Sequence, residues 1–390
     1  FYSSLPLLVK VLLAIVLGVV AGCFMPIWGV RIFITFNDFF NQLLQFMIPL
    51  IIIGLITPAI ADVGRGVQRL LLITVAIAYG STVASGLIGY GVSSTIFPHI
   101  ISDTISLAHT ELDANQAYFM LKIPPLMDVM TALVISFFIG LGIAVLNKPA
   151  LKHGFDEFKQ IVSLFIERLI IPLLPLFIFG LFLDMSSKGG ITCVLVNFVQ
   201  VIVIILVLTF LVLVVQYCIA GMIVRKNPFK LLWTMLPAYA TALGTSSSAA
   251  TIPITLRQTV KNGVSEGVAG FVVPLCATIH MSGSILKIVS CAIAIMLMQR
   301  MAFDIHMILG FILMLGVIMI AAPGVPGGAV MAAVGLLNTM LGFSDEQQAM
   351  MITLYIVMDS FGTACNVTGD GAIALIINKI NQKKKEMGTE

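Results

Sequence analysis

Apolar runs of at least 18 residues recur along the whole of this 390-residue chain, and about 20 apolar residues let an α-helix cross a hydrocarbon layer roughly 30 Å thick. That recurrence leaves few folds open. Only 10% of the residues are charged and 59% are hydrophobic, where a soluble domain carries roughly a quarter charged residues. The chain therefore reads as an all-α polytopic membrane protein whose solvent is lipid.

Clear spans are predicted at 5–23, 34–61, 70–97, 133–146, 161–183 and 191–224. The first is too long for a signal sequence and lacks a small-residue cleavage pattern. The chain begins at Phe1 rather than Met, so residues upstream of it are expected. Basic residues mark every second break: Arg65 and Arg69, then Lys148, Lys152 and Lys159, then Arg225, Lys226 and Lys230. The intervening segment 99–115 has acidic residues and no Lys or Arg. The positive-inside rule then places the basic loops and both termini in the cytoplasm, the tail carrying Lys379, Lys383, Lys384 and Lys385. The expected location is the inner (plasma) membrane of a prokaryote.

Six cysteines, Cys23, Cys193, Cys218, Cys276, Cys291 and Cys365, sit in or beside apolar segments without metal-ligand spacing, which reads as packing rather than a disulfide framework or zinc site. The net charge of +3 is small, and no feature supports nucleic-acid binding.

From residue 225 onward the hydropathy is broken by four polar, glycine-rich patches, at 244–251, 278–284, 323–328 and 359–371. Irregular backbone at membrane depth is tolerated only where it is buried in protein or lines a cavity, so these patches are expected to converge on an internal site. Their order reads as a hairpin followed by a crossing, twice over. Hairpin 1 is expected at about 229–259, a seventh transmembrane helix at about 266–298, hairpin 2 at about 305–342 and an eighth helix at about 347–380. The expected architecture is eight transmembrane helices plus two re-entrant helical hairpins, with 1–224 largely a scaffold and 225–390 the working core. If the second hairpin enters from the opposite side, the two units are inverted repeats around a midplane site.

On the last helix Asp359, Thr363, Asn366 and Asp370 fall on one stripe at 3.6 residues per turn. A carboxylate at membrane depth costs at least ~2.5 kcal/mol, so it is normally kept to meet a cation, an ammonium group or a proton; a polar helix–helix contact is the bland alternative. The run from Thr245 to Thr251 offers hydroxyls and small side chains through which backbone amides can approach an anionic group, although a plain turn has the same composition.

Three motifs in order make the chain resemble the glutamate transporter homologues, the dicarboxylate/amino acid:cation symporters. They are Ser246-Ser247-Ser248 through Thr251-Ile252-Pro253-Ile254-Thr255, then Gly324-Val325-Pro326-Gly327-Gly328-Ala329, then Asn366-Val367-Thr368-Gly369-Asp370. The resemblance covers almost the whole chain and implies a homotrimer working by an elevator motion. It implies Asp359 as the partner of a substrate amino group and Asn366 as the partner of its α-carboxylate. Ser247, Ser248, Val325, Gly327, Gly328, Gly362 and Thr363 would complete the substrate pocket. It also implies sodium held by the Cys276 backbone, Thr278, Asn366 and Asp370.

The departures matter as much. Where acidic-substrate members carry an arginine one turn after the amino-binding aspartate, this chain has Gly362, so a side-chain carboxylate would lack its bidentate partner. A small neutral amino acid is the expected substrate. The alternative is an acidic amino acid or dicarboxylate, with Lys287 standing in for the arginine. The family's Asn-Met-Asp-Gly-Thr motif reads His280-Met281-Ser282-Gly283-Ser284 here, and its hydroxyl helpers on the third helix become Tyr79 and Gly80. One sodium site is therefore expected to be lost, leaving one or two, with no organic cofactor. His280 can be a proton carrier or a structural residue. Lys287 can be a counterion of Asp359 or Asp370, reach an anionic substrate, or snorkel, and the ion pair is the expectation.

Enzymatic and channel readings are weaker. Ser282 lies two residues from His280, the wrong spacing for one helical face, and the earlier helices offer only Asn41, Gln42 and Gln45 toward a polar pore.

Overall fold

The structure is a computed structural model that describes residues 7–64, 69–101, 116–119, 121–146, 149–187, 191–322 and 326–386. Val325, Arg65, Lys148 and most of the acidic loop on which the charge argument drew lie outside them. The helices run α1 (Leu7–Gly22), α2 (Ile27–Gly64), α3 (Arg69–Ile100), α4 (Val129–Leu146), α5 (Pro149–Phe165), α6 (Ile171–Ser187), α7 (Ile191–Val224), α8 (Pro228–Thr234), α9 (Leu236–Thr245) and α10 (Ser248–Lys261). The rest are α11 (Glu266–Ile279), α12 (Ser282–Met298), α13 (Ile305–Ala321), α14 (Gly328–Leu341), α15 (Asp345–Val357) and α16 (Asp359–Glu386). No strand occurs among the described residues. Where every backbone amide must be satisfied within lipid, helices do so without partners.

Six helical stretches are long and apolar enough to cross a membrane: 27–58, 70–100, 149–187, 194–224, 266–298 and 359–382. With the shorter apolar helices Leu7–Gly22 and Thr131–Leu146, they account for the eight crossings expected. The long crossing at 149–187 joins α5 to α6 through a π-helical turn, Ile166–Ile170. Pro172, at the second position of α6, lacks the N–H that would continue the regular ladder there and crowds the preceding turn.

The remaining elements form two hairpins, each followed by a broken crossing. In the first, α9 ends in Ser246, a non-glycine residue in the left-handed region (φ 50°), and the Ser247 side chain caps α10 by accepting from Ala250 N–H. In the second, α13 and α14 pack together, the Asp304 carboxylate caps α13, and left-handed Gly327 (φ 74°) leads into α14.

The crossing after hairpin 1 leaves the helix at His280 and Met281, between α11 and α12. The crossing after hairpin 2 also breaks, at Met358 between α15 and α16. A continuous eighth helix was expected there, and no proline or glycine flags the interruption.

Nearly every residue of α12 is buried, packed among α3, α7, α13, α14, α15 and α16. There are two apolar clusters, one joining α12–α15 to the N-terminal helices and the other joining α7–α11 to α16. The five described cysteines are free thiols.

Candidate functional site

Asp359 is the first residue of α16, and its carboxylate faces the positive end of that helix's dipole. It is 7% exposed. One carboxylate oxygen, Oδ2, accepts the Gly327 N–H of the hairpin 2 tip at 2.8 Å. The other, Oδ1, lies 3.7 Å from Lys287 Nζ.

Lys287, from α12, is fully buried. Its ammonium donates to the Met358 carbonyl at 3.2 Å, an oxygen that also accepts Gly362 N–H at 3.2 Å as the first bond of α16, and lies 4.0 Å from the centre of the Tyr355 ring. Carbonyl, carboxylate and ring face together replace water around the charge. The ammonium fits because residue 362 has no side chain: a Cβ there would lie 2.2 Å from both Nζ and Cε of Lys287. Gly362 and Lys287 are thus a matched pair.

One turn further along α16, the Asn366 amide bridges to the break in the other crossing. Its Oδ1 accepts Gly283 N–H at 2.8 Å and its Nδ2 donates to Ser284 Oγ at 3.0 Å. Tyr355 O–H donates to the same Ser284 oxygen at 3.0 Å.

Deeper on the stripe, Asp370 is buried, with Oδ1 3.0 Å from His280 Nδ1. His280 Nε2 is 3.1 Å from Ser81 Oγ of α3, which also accepts from Gln216 Nε2 of α7 at 3.1 Å. The carboxylate needs a donor, so Nδ1–H faces Asp370; a neutral ring then accepts the Ser81 hydroxyl proton at Nε2.

The hairpin 1 tip reaches the same helix start, with Ser246 Oγ and Ser360 Oγ 2.6 Å apart. All four polar patches therefore meet along α16. Three other helices, α10, α12 and α14, present their first turns there, which concentrates helix-start N–H groups and positive dipole ends around one volume.

Ser248 and Gly328 are buried at the starts of α10 and α14, and Ser247 is half-buried. Thr363 donates its hydroxyl to the Asp359 carbonyl at 3.0 Å. Cys276 is buried, its carbonyl accepting His280 N–H at 2.8 Å. Thr278 is exposed and keeps its hydroxyl on the Leu275 carbonyl of its own helix at 2.8 Å, so Thr278 stands apart from the Asp370 cluster.

Comparison with known proteins decides what kind of chain builds such a site. The sequence pattern of the sodium:dicarboxylate symporter family matches residues 7–380. The chain belongs to the sodium:dicarboxylate symporter family. It is similar to the serine/threonine transporter SstT of Acinetobacter baumannii (strain AYE), 26% identical over 95% of this chain and 96% of that protein. The serine/threonine transporter SstT of Streptococcus thermophilus (strain CNRZ 1066) is 25% identical over 98% of each chain. The excitatory amino acid transporter 3 of Oryctolagus cuniculus is 34% identical over 165 residues, 42% of this chain and 31% of that one.

Several groups at the centre of this symporter-family site escape motif reading. Ser81 meets His280, and Thr82 Oγ1 accepts Met281 N–H at 3.3 Å, whereas Tyr79, one of the positions considered on the third helix, donates to the Leu313 carbonyl instead. Gln216, Tyr217 and Tyr355 also belong to the networks, Tyr355 through Ser284 of the His280–Ser284 motif. Gln216, a polar residue deep in the apolar α7, was the available signal, because polar groups in spanning helices usually have a task. Among the described residues no cluster of three His, Cys, Asp or Glu forms; the donors gathered here are oxygens, which suit a hard cation.

Proposed function

We propose that the chain is a secondary active symporter of a small neutral amino acid, serine or threonine first among them, driven by sodium and, through His280, by protons. The single observation that carries the substrate class is the pairing of Gly362 with Lys287. Lys287, the cation beside Asp359, is fully buried and committed to Asp359, Met358 and Tyr355. A substrate side-chain carboxylate would find no arginine at 362 and would be desolvated without a partner, at several kcal/mol. The names of relatives matched over 95–98% of the chain support the same class.

In this reading Asp359 receives the substrate ammonium in place of the Gly327 amide. The first turns of α10 and α14, with Ser247, Ser248, Val325, Gly327 and Gly328, close over the α-carboxylate together with Asn366 and Thr363. Asp370, Asn366 and the Cys276 carbonyl hold sodium, with Thr278 at a second position. The Thr368 hydroxyl and the Gln216 side-chain carbonyl, buried polar groups without a partner among the described residues, add oxygen donors nearby. The site around Ser282, Tyr79 and Gly80 is lost, which leaves one or two sodium ions and no organic cofactor. Residues 225–390 form the moving core, 1–224 largely the scaffold of a homotrimer, and both termini are cytoplasmic.

A thermal-shift screen of serine, threonine, alanine and aspartate, each with and without sodium, tests the reading, because a ligand that binds only the folded form raises apparent stability. A sodium-dependent rise with serine or threonine and none with aspartate is expected. A rise with aspartate alone would overturn the substrate class.

A further inference from the structure

The Asp359–Lys287 pair has a consequence for the empty carrier. A charge at membrane depth needs a partner to be moved through a low-dielectric region, and a carrier returns empty between cycles. The two oxygens of Asp359 are divided between different neighbours: Oδ2 points to the hairpin 2 tip, where the substrate ammonium is proposed to bind, and Oδ1 to Lys287. The fixed cation and the mobile one therefore address different edges of the same carboxylate. A zwitterionic amino acid adds no net charge, so the Asp359 end of the site balances with or without it.

The groups that face Lys287 leave this balance to Asp359. Tyr355 comes from α15, Cys291 from α12 itself and Cys365 from α16. α14 carries no titratable residue, α13 has only His306 at its exposed start, α3 carries Tyr79, whose hydroxyl is on the Leu313 carbonyl, Tyr90 and His99, and α7 offers Cys218 and Tyr217, whose hydroxyl is on the Thr368 carbonyl.

We infer that Lys287 is a built-in counter-cation that lets the substrate-free carrier reorient with no ion bound at Asp359. It is a positioning residue acting through Asp359, not a substrate contact, and the inference rests on the proposed role of Asp359 in holding the substrate ammonium.

The test is Lys287→Met in reconstituted vesicles, with net uptake of L-serine and serine–serine counterflow measured at equal sodium. Counterflow needs only the loaded carrier to move, and the substrate ammonium then partners Asp359, so it should stay within about twofold of wild type. Net uptake needs the empty carrier to move with a bare buried carboxylate, so it should fall about tenfold or more. Lowering the pH on both sides from about 8 to about 5.5 should raise the ratio of variant to wild-type net uptake at least about fivefold, because a buried carboxylate left without a counter-cation takes up a proton in its place. Lys287→Gln, which can still reach toward the Met358 carbonyl, gives the same split if the methionine variant does not fold. Equal loss of net uptake and counterflow, an unchanged net uptake, or a split without recovery at low pH would each overturn the inference. Wild-type vesicles that take up no neutral amino acid would overturn the proposed function and the inference with it, whereas wild-type uptake without the split in the variants overturns the inference alone.

Discussion

At the scale of single residues, the site is governed by what a buried charge requires. Removing one member of a buried ion pair leaves the other unpartnered, at roughly 3–5 kcal/mol, whereas replacing both by apolar or neutral groups is often tolerated. Asp359→Asn should therefore abolish serine binding and also lower the melting temperature of the ligand-free protein, because Lys287 is stranded. Adding Lys287→Met to that variant should recover most of the lost melting temperature without recovering binding, a non-additivity measurable as a double-mutant cycle. Gly362→Ala tests the matched pair from the other side. Its Cβ would fall 2.2 Å from Lys287 Nζ and Cε, so the lysine must shift off Asp359, and a loss of about 1–3 kcal/mol is expected in denaturation of the purified protein.

At the scale of elements, small residues decide how closely the helices approach. A Cβ on Gly283 would meet Cys365 Cβ and the Gly362 carbonyl at 2.8 Å, and one on Gly89 would meet the Leu286 carbonyl of α12 at 3.1 Å; α12 is clamped between α16 and α3 by these contacts, as small residues do in membrane bundles. The tip of hairpin 2 depends on a different property. Gly327 holds φ 74° while its N–H is bonded to Asp359, and a side chain in the left-handed region costs about 1–2 kcal/mol. Gly327→Ala should loosen the start of α14, visible as faster amide exchange in its first turn, and should weaken substrate binding more than it lowers global stability.

At the scale of the whole molecule, charge is concentrated where helices break and lipid is kept away. Asp370 with His280 and Asp359 with Lys287 are two separate buried pairs along one helix, and the first joins the third helix and α7 through Ser81 and Gln216. Coupling to protons is thereby expected to run through the Asp370 end. With sodium equal on both sides, an inwardly directed proton gradient should raise initial serine uptake in wild type and leave His280→Gln unaffected; a flat response in wild type would remove His280 from the coupling.

The sequence by itself determined that this chain is helical and many times membrane-spanning, because apolar run length and the demands of backbone hydrogen bonding in lipid are local properties. It also determined the stripe of Asp359, Thr363, Asn366 and Asp370, since a helical face is arithmetic on spacing, and Gly362 as a departure from an arginine. Tertiary structure alone decided the partners. His280 and Ser81 are 199 residues apart in the chain, and His280 and Asp370 are 90 apart; nothing in their local sequence records that they meet. The break at Met358 carries no proline or glycine to announce it, and Lys287 rests on the carbonyl of the residue at this break, beside the Gly362 N–H that the same oxygen accepts. Several partners were open to Lys287 from sequence. The packing of α12 against Gly362 directs its ammonium to Asp359, because a missing side chain, the Met358 carbonyl and an aromatic face coincide there.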